Sequence, residues 1–194
     1  MAVELARAAA RRGDRVTLFL AESVPAPRSR AIRIERFVTS AHLRARLRAA
    51  AAAPDIIVHA AAVADYAPVP ARGKVASGRA AWTITLSPLP KVVAELRARH
   101  PRAVLCTFKL ESGIGRAELV RRATAAARAA GAKLVFANLL EDVGTEHRGL
   151  LLDPAAGTIS EARSRAAAAR LILRACRRHV ASRHRTGGAR GASA

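Results

Sequence analysis

The sequence has few aromatic residues, two cysteines and four lysines, and each shortage narrows what the chain can be. Aromatic residues make up 3% of the 194 positions, so a core must be built from Ala, Val, Leu and Ile. Cys106 and Cys176 lie in no CxxC or Cys/His spacing, and neither a disulfide framework nor a metal site is indicated. The length fits one domain.

Long apolar runs are also missing. No stretch approaches the roughly 20 apolar residues that span a bilayer. The opening residues, MAVELARAAARRGD, lack the apolar core and the cleavage site of a signal peptide. We therefore expect no membrane partner and a cytoplasmic location, where the two cysteines stay reduced.

Positive charge is abundant, with 34 Lys+Arg against 14 Asp+Glu and a net charge of +20. Nearly all of it is arginine scattered among alanine runs, which indicates the coding bias of a GC-rich genome. Residues 160–194 hold nine arginines and a single acidic residue, Glu161. A polyanion-binding tail stays open as an alternative, although we do not expect nucleic acid to be the partner.

The hydrophobic pattern alternates between helical and strand periods along the chain. Helices are predicted over residues 3–12, 40–53, 88–99 and 118–130, and from Ser160 onward. Strands are predicted over 15–21, 32–37, 56–62, 82–86, 103–109, 134–138 and, as the last strand, 149–153. A loop is predicted over 66–77. This alternation predicts an α/β fold, a three-layer Rossmann-like sandwich around a mostly parallel sheet. We assign residues 1–182 to this domain and 183–194 to a disordered Arg/Gly/Ala tail.

Open parallel sheets bind ligands beyond the carboxyl ends of their strands. Three polar segments follow predicted strands: AAAVADY after His59, FKLES from Thr107, and ANLLED after Phe136. These segments are where the sequence predicts a binding site.

Five segments in the same order resemble the phosphopantothenate–cysteine ligases, also called phosphopantothenoylcysteine synthetases. They are MAVELARAAARRGDRVTLF, AAAVADYAPVPARGKVASG, WTITLSPLPKVVAEL, TFKLES and LVFANLLEDVG. The resemblance reaches to about residue 172 and implies a ligase of coenzyme A biosynthesis. In that reaction ATP or CTP, with Mg²⁺, activates the carboxylate of 4′-phosphopantothenate as an acyl-nucleotide, and the amine of cysteine then forms the amide. The family also implies a homodimer.

Carried over position by position, the resemblance implies catalytic roles for Lys74 and Asn138. It implies nucleotide contacts for Ala61, Ala62, Val63, Asp65, Lys74, Pro90, Lys91, Val92, Val93 and Phe108. Each has a structural alternative: a solvated loop for Lys74, a turn for Asp65 and Asn138, and core packing for Phe108 and the small residues.

The sequence departs from the family at two places. KVASG and ANLL look closer to the eukaryotic, ATP-using type than to the bacterial, CTP-using type, so the nucleotide stays open between the two. The family's first strand, its Gly-Gly-Thr turn and its Asn- and Ser-Ser-Gly-bearing loop have no counterpart in the sequence, which predicts a sheet without its first strand. Activity of the chain as written is open for the same reason.

Two other functions remain as alternatives. A nucleotide-binding remnant without catalysis is consistent with the missing segments. A nicotinamide-dependent Rossmann oxidoreductase needs a Gly-rich turn after the first strand, whereas SGIGRAE lies much later in the chain. Such enzymes can also use a Tyr-x-x-x-Lys pair, but Tyr66 is followed by Pro70 at that spacing.

Overall fold

The computed structural model describes residues 1–51, 53–70, 73–74, 77–78, 80–144 and 148–188. The α-helices in these residues are α1 (Ala2–Ala10), α2 (Ser40–Ala49), α3 (Val92–Arg99), α4 (Arg116–Ala129) and α5 (Arg165–Gly188). The strands in these residues are β1 (Val16–Ala21), β2 (Ile32–Phe37), β3 (Ile56–His59), β4 (Tyr66–Pro68), β5 (Leu86–Pro88), β6 (Val104–Glu111), β7 (Leu134–Leu139), β8 (Gly149–Asp153) and β9 (Thr158–Ala162). The α/β class predicted from the sequence is confirmed.

The main sheet has the strand order β3-β6-β7-β8-β9. β3, β6 and β7 are parallel, as the apolar runs of a sheet covered on both faces predict. β8 and β9 add antiparallel strands at one edge. A separate parallel pair is formed by β1 and β2.

Within the described residues no ladder joins β1 to β3. Both strands nevertheless contribute to one apolar layer, because Val16 of β1 and Ile56 and Val58 of β3 pack against the same cluster. A doubly wound sheet that lacks one inner strand has this arrangement. Within the described residues the sheet is therefore interrupted between β1 and β3.

The larger apolar cluster lies between the sheet and helices α1 and α5. Phe136 and Leu134 of β7 and Ile172 of α5 are its large buried side chains. On the opposite face α4 packs Leu119 onto alternate residues of β7 and β8. Alanine and aliphatic side chains make up most of both layers, with Phe136, Cys106 and Cys176 as further buried members, as the low aromatic content requires.

Two elements near the middle of the chain differ from the prediction. Residues 82–86 were expected to form a strand and Tyr66 to open a loop, but β4 and β5 instead pair antiparallel over three residues each. Their ladder is mostly exposed, so no buried face imposes the apolar–polar alternation that sequence reading depends on.

The region around Ser160 also differs. The predicted helix start is wrong, because β9 occupies Thr158–Ala162 and pairs with β8. The hairpin turn places Gly157 at φ +63°, and Asp153 Oδ1 accepts hydrogen bonds from the backbone N–H groups of Ala155 and Ala156. The helix begins afterwards, at Arg165.

Several predicted boundaries move inward. The helices expected to reach residues 12 and 53 end at Ala10 and Ala49, the strand over 56–62 ends at His59, and the helix expected from Pro88 begins at Val92. At the chain's end the predicted disordered tail overlaps α5, which continues to Gly188. Residues 189–194 lie outside the described residues.

Candidate functional site

The carboxyl edge of the parallel strands collects the predicted segments. The run Ala61–Val63 follows β3, Phe108 lies in the second half of β6, and Asn138 is the last residue but one of β7. Ala61 and Ala62 are exposed and Val63 is half-buried. Each segment therefore follows or ends a strand at the edge where such sheets bind ligands.

Asp65 and Lys91 come together across 26 residues of chain. Lys91 Nζ donates to Asp65 Oδ1 at 2.6 Å, and the Leu89 N–H donates to the Asp65 carbonyl at 2.8 Å. The short β4–β5 ladder sets this approach, because Asp65 precedes β4 and Leu89 follows β5. Both charged side chains are more than half exposed, so their groups remain accessible to a ligand.

The segment Pro90–Val93 forms the start of α3, with Lys91 as the residue before its first turn. No side chain caps this turn, so N–H groups of Val92 and Val93 lack an intrahelical partner. Val92 is buried and anchors the helix, whereas Pro90 and Lys91 are exposed. This placement suits contact with an anionic group.

Lys74 is exposed. In the described part of the chain no hydrogen bond or ion pair holds its ammonium group. Its neighbours 71–72 and 75–76 lie outside the described residues. Lys74 therefore lies on the connection between β4 and β5 with an exposed side chain.

Phe108 and Asn138 face the layer that holds α5. The Phe108 ring lies 5.5 Å from the Phe136 ring, centroid to centroid, at an interplanar angle of 49°. Phe108 is half-buried and Asn138 is buried. The Phe108 ring is therefore part of the core as well as of the edge.

Two glutamates at this edge are held by neighbouring groups of the protein. Lys109 Nζ lies 2.9 Å from Glu111 Oε1, which lowers the pKa of the Glu111 carboxyl, with Arg122 adding to the effect. Glu141 accepts a hydrogen bond from the Gly113 N–H at 2.8 Å, which lowers the pKa of its carboxyl. Both carboxylates are charged at neutral pH and already engaged.

Sequence reasoning missed two polar residues at this edge. His59 ends β3 and is paired in register with Thr107 of β6, which is buried. The only signal in the sequence was a histidine closing an otherwise apolar strand. A histidine in that position has many structural explanations, so the pattern alone did not select it.

A cavity of about 540 Å³ lies elsewhere, between α2 and α3. Its lining includes Leu47, Val92 and Leu96, and ion pairs from Arg44 and Arg48 to Glu95 hold the two helices together. Of the predicted site residues only Val92 lines it. The cavity is therefore distinct from the polar edge.

No group of three or more His, Cys, Asp or Glu side chains in the described part of the chain is arranged to hold a metal ion. No helix that the structure describes is long and apolar enough to cross a bilayer.

Comparison with known proteins places these observations in a family context. The DNA/pantothenate metabolism flavoprotein C-terminal domain family matches residues 1–178. The coenzyme A biosynthesis bifunctional protein CoaBC of Thermococcus kodakarensis is 34% identical over 99 residues, which are 50% of this chain and 24% of that protein. The match spans about a quarter of that relative's length.

Solved structures share the fold. The DNA/pantothenate metabolism flavoprotein from Streptococcus pneumoniae superposes with a TM-score of 0.82 at 18% identity, covering 91% of this chain and 86% of the other. A Cab2 variant in complex with phosphopantothenate-cysteine gives a TM-score of 0.51 at 19% identity, covering 82% of this chain and 55% of the other. At these identities the likeness establishes the fold.

Proposed function

Because the chain belongs to the DNA/pantothenate metabolism flavoprotein C-terminal domain family, we propose that it is a ligase domain of coenzyme A biosynthesis. It joins 4′-phosphopantothenate to cysteine through an acyl-nucleotide. The observation that carries the proposal is the family match over residues 1–178 combined with the gathering of the predicted segments at one edge of the sheet. The ligand of the Cab2 complex is the product of this reaction.

The reaction requires the protein to bind two anions, 4′-phosphopantothenate and a nucleoside triphosphate, next to each other. A carboxylate is a poor electrophile until a nucleotide is attached to it, and the two anionic reactants repel each other. Lys74 and Lys91 supply positive charge near the nucleotide, while the backbone of Ala61–Val63 and the first N–H groups of α3 lie along it. Asn138 orients the acyl group from the end of β7.

Lys91 also has a role before substrate arrives. Its ammonium is held by Asp65 at 2.6 Å, so the pair keeps the two nucleotide-binding segments together. When a triphosphate binds, Lys91 exchanges the carboxylate for phosphate oxygens. Asp65 is then free to accept hydrogen bonds from the ribose or base.

Mg²⁺ is proposed to enter with the nucleoside triphosphate, ATP or CTP. The carboxylates of Asp65, Glu111 and Glu141 are each occupied by a protein partner. The ion is accordingly held mainly by phosphate oxygens and water, as is usual for Mg²⁺ in nucleotide sites. When bound, it neutralises charge on the phosphates.

The domain is proposed to act as a homodimer in the cytoplasm. The β4–β5 arm, residues 66–69 and 82–88, exposes a set of large apolar side chains: Tyr66, Val69, Trp82, Ile84 and Leu86. Trp82 is 61% exposed and Tyr66 59%. Such a concentration of apolar surface indicates an interface, and a second copy of the arm matches it in chemistry. The two free thiols suit a reducing compartment.

The proposal is tested by incubating the purified chain with 4′-phosphopantothenate, cysteine, Mg²⁺ and either ATP or CTP. Mass spectrometry should detect the amide product together with nucleoside monophosphate and pyrophosphate. Lys74→Gln should lose most of the product, whereas Lys133→Gln, at an exposed lysine just before β7, should keep it. Nucleotide binding without any product would support the non-catalytic alternative instead.

A further inference from the structure

His59 occupies the last position of β3, on the side of the sheet away from α1 and α5. Ile56 and Val58 pack into the cluster with those helices. Because side chains alternate along a strand, His59 lies on the other face. Cys106 packs into the same cluster as Val58, so the next residue of β6, Thr107, shares the face of His59.

The His59 imidazole is a polar group inside the described part of the sheet edge. Among the described residues no side chain or backbone group forms a hydrogen bond with the imidazole. The His59 nitrogens are not among the fully buried side-chain polar atoms that lack a hydrogen-bond partner in this part of the chain. A largely buried ring thus keeps nitrogen atoms that a ligand can reach.

Burial also sets the charge state of this histidine. Loss of solvation lowers the pKa of His59 below its ordinary value, because burial penalises the imidazolium. The ring is neutral at pH 7 and offers one N–H donor and one acceptor nitrogen.

Two segments of the proposed nucleotide site adjoin His59. Ala61 follows it by two residues in the chain. The right-handed crossover from β3 to β6 puts the start of α3 on the His59 face. A nucleotide held by these segments lies within reach of the ring.

The charged groups around His59 are already paired. α3 contributes Lys91, bound to Asp65, and Glu95, bound to Arg44 and Arg48. β6 contributes Lys109, bound to Glu111. On the other face α5 presents apolar residues and the Cys176 thiol to the sheet, and the Met1 amino group lies near Arg165. The carboxylates, lysines and arginines keep their charge between pH 6 and 8.

We propose that His59 contacts the bound nucleoside triphosphate and that its imidazole donates a hydrogen bond to a phosphate oxygen; this inference rests on the proposed function. A phosphate beside the ring stabilises the imidazolium, so binding takes up a proton. Nucleotide affinity therefore rises as the pH falls from 8 to 6.

The test compares dissociation constants of Mg·ATP and Mg·CTP for the full chain and for His59→Gln at pH 6, 7 and 8. The nucleotide phosphates and the Met1 amino group titrate in the same way in both proteins. Their effect on binding therefore cancels when the dissociation constant of the variant is divided by that of the wild type. The ratio of variant to wild-type dissociation constants should be about tenfold at pH 6, as for a hydrogen bond to a charged group. It should fall to about twofold at pH 8, where the ring is neutral. His100→Gln, at the far end of α3, should behave as wild type.

A second measurement needs no variant. The imidazole resonances of His59, followed by NMR against pH, should give a pKa raised by about one unit when nucleotide is bound. A constant ratio of affinities together with an unmoved His59 resonance would overturn the phosphate contact while leaving the proposed function intact. A wild-type chain that binds neither nucleotide would overturn both.

Discussion

At the scale of single residues, Gly149 is the position where the backbone leaves least room. A Cβ atom built there would lie 2.3 Å from Cζ of Phe136 and 2.4 Å from Cε1. Phe136 is the largest fully buried side chain and cannot move aside without disturbing the α5 layer. We predict that Gly149→Ala lowers the free energy of unfolding by about 2 kcal/mol, as overpacking of a core does.

Urea unfolding followed by circular dichroism measures this loss. Gly144→Ala is the matched control, because a Cβ atom at Gly144 meets nothing within 4 Å. Equal stabilities for the two variants would show that the Phe136 ring is not seated against Gly149.

Lys91 is the residue whose role in binding is most accessible to mutation. Its ion pair with Asp65 is exposed and contributes little to folding. We predict that Lys91→Met weakens Mg·ATP or Mg·CTP binding about tenfold, the usual loss for a charge-assisted hydrogen bond, with no change in melting temperature. Titration calorimetry gives the affinities, and Arg102→Met, at an exposed cation ahead of β6, should leave them unchanged.

Residue roles were only partly predictable from the sequence. The meeting of Asp65 with Lys91 could not be foreseen, since it depends on a three-residue ladder with no hydrophobic signature. The packing of Phe108 on Phe136 follows from register, which a single sequence does not specify. His59 was missed because a histidine after apolar residues resembles any strand end.

At the scale of elements, the β4–β5 arm is the clearest departure from an ordinary surface. Its large apolar side chains are exposed to solvent. The arm follows the segment that leaves β3 and precedes the start of α3, so it adjoins the proposed site. We predict that the wild-type chain is a dimer and that the double variant Trp82→Ser, Leu86→Ser is a monomer. Sedimentation velocity measures the mass, and Ile159→Ser, at an equally exposed apolar residue on β9, should remain dimeric.

Which elements the sequence predicts depends on whether they have a buried face. The apolar runs of β6 and β7 lie in the core and were located to within two residues. β9 is almost entirely exposed and was mistaken for the start of a helix. The true cap of α5 is Ser164, whose Oγ accepts from the Ala167 N–H at 3.1 Å, four residues beyond the predicted one.

At the scale of the whole molecule, the break between β1 and β3 divides the sheet into parts of unequal protection. β6 is paired on both sides and β7 likewise, whereas β3 has one partner within the described residues. We predict that backbone amides of β6 and β7 exchange with deuterium at least tenfold more slowly than those of β3 and β1, because edge strands open more readily. Uniform protection across all four strands would contradict the break.

The fold class was predictable because segments with the helical spacing of apolar residues alternate with segments of strand spacing along the chain. The division of the sheet was foreseen only through the resemblance to a family, since no local pattern records the absence of a neighbour. The function of the site, in contrast, cannot be predicted from the fold alone, because one fold can carry many different chemistries.

The central claim is that the carboxylate of 4′-phosphopantothenate is activated as an acyl-nucleotide at the carboxyl edge of this sheet. Incubation with substrate labelled with ¹⁸O in the carboxylate, followed by mass spectrometry of the products, tests it most directly. The account predicts one ¹⁸O atom in the nucleoside monophosphate, released together with the amide. Label in inorganic phosphate alongside a nucleoside diphosphate, or no amide at all with ATP and CTP, would contradict it.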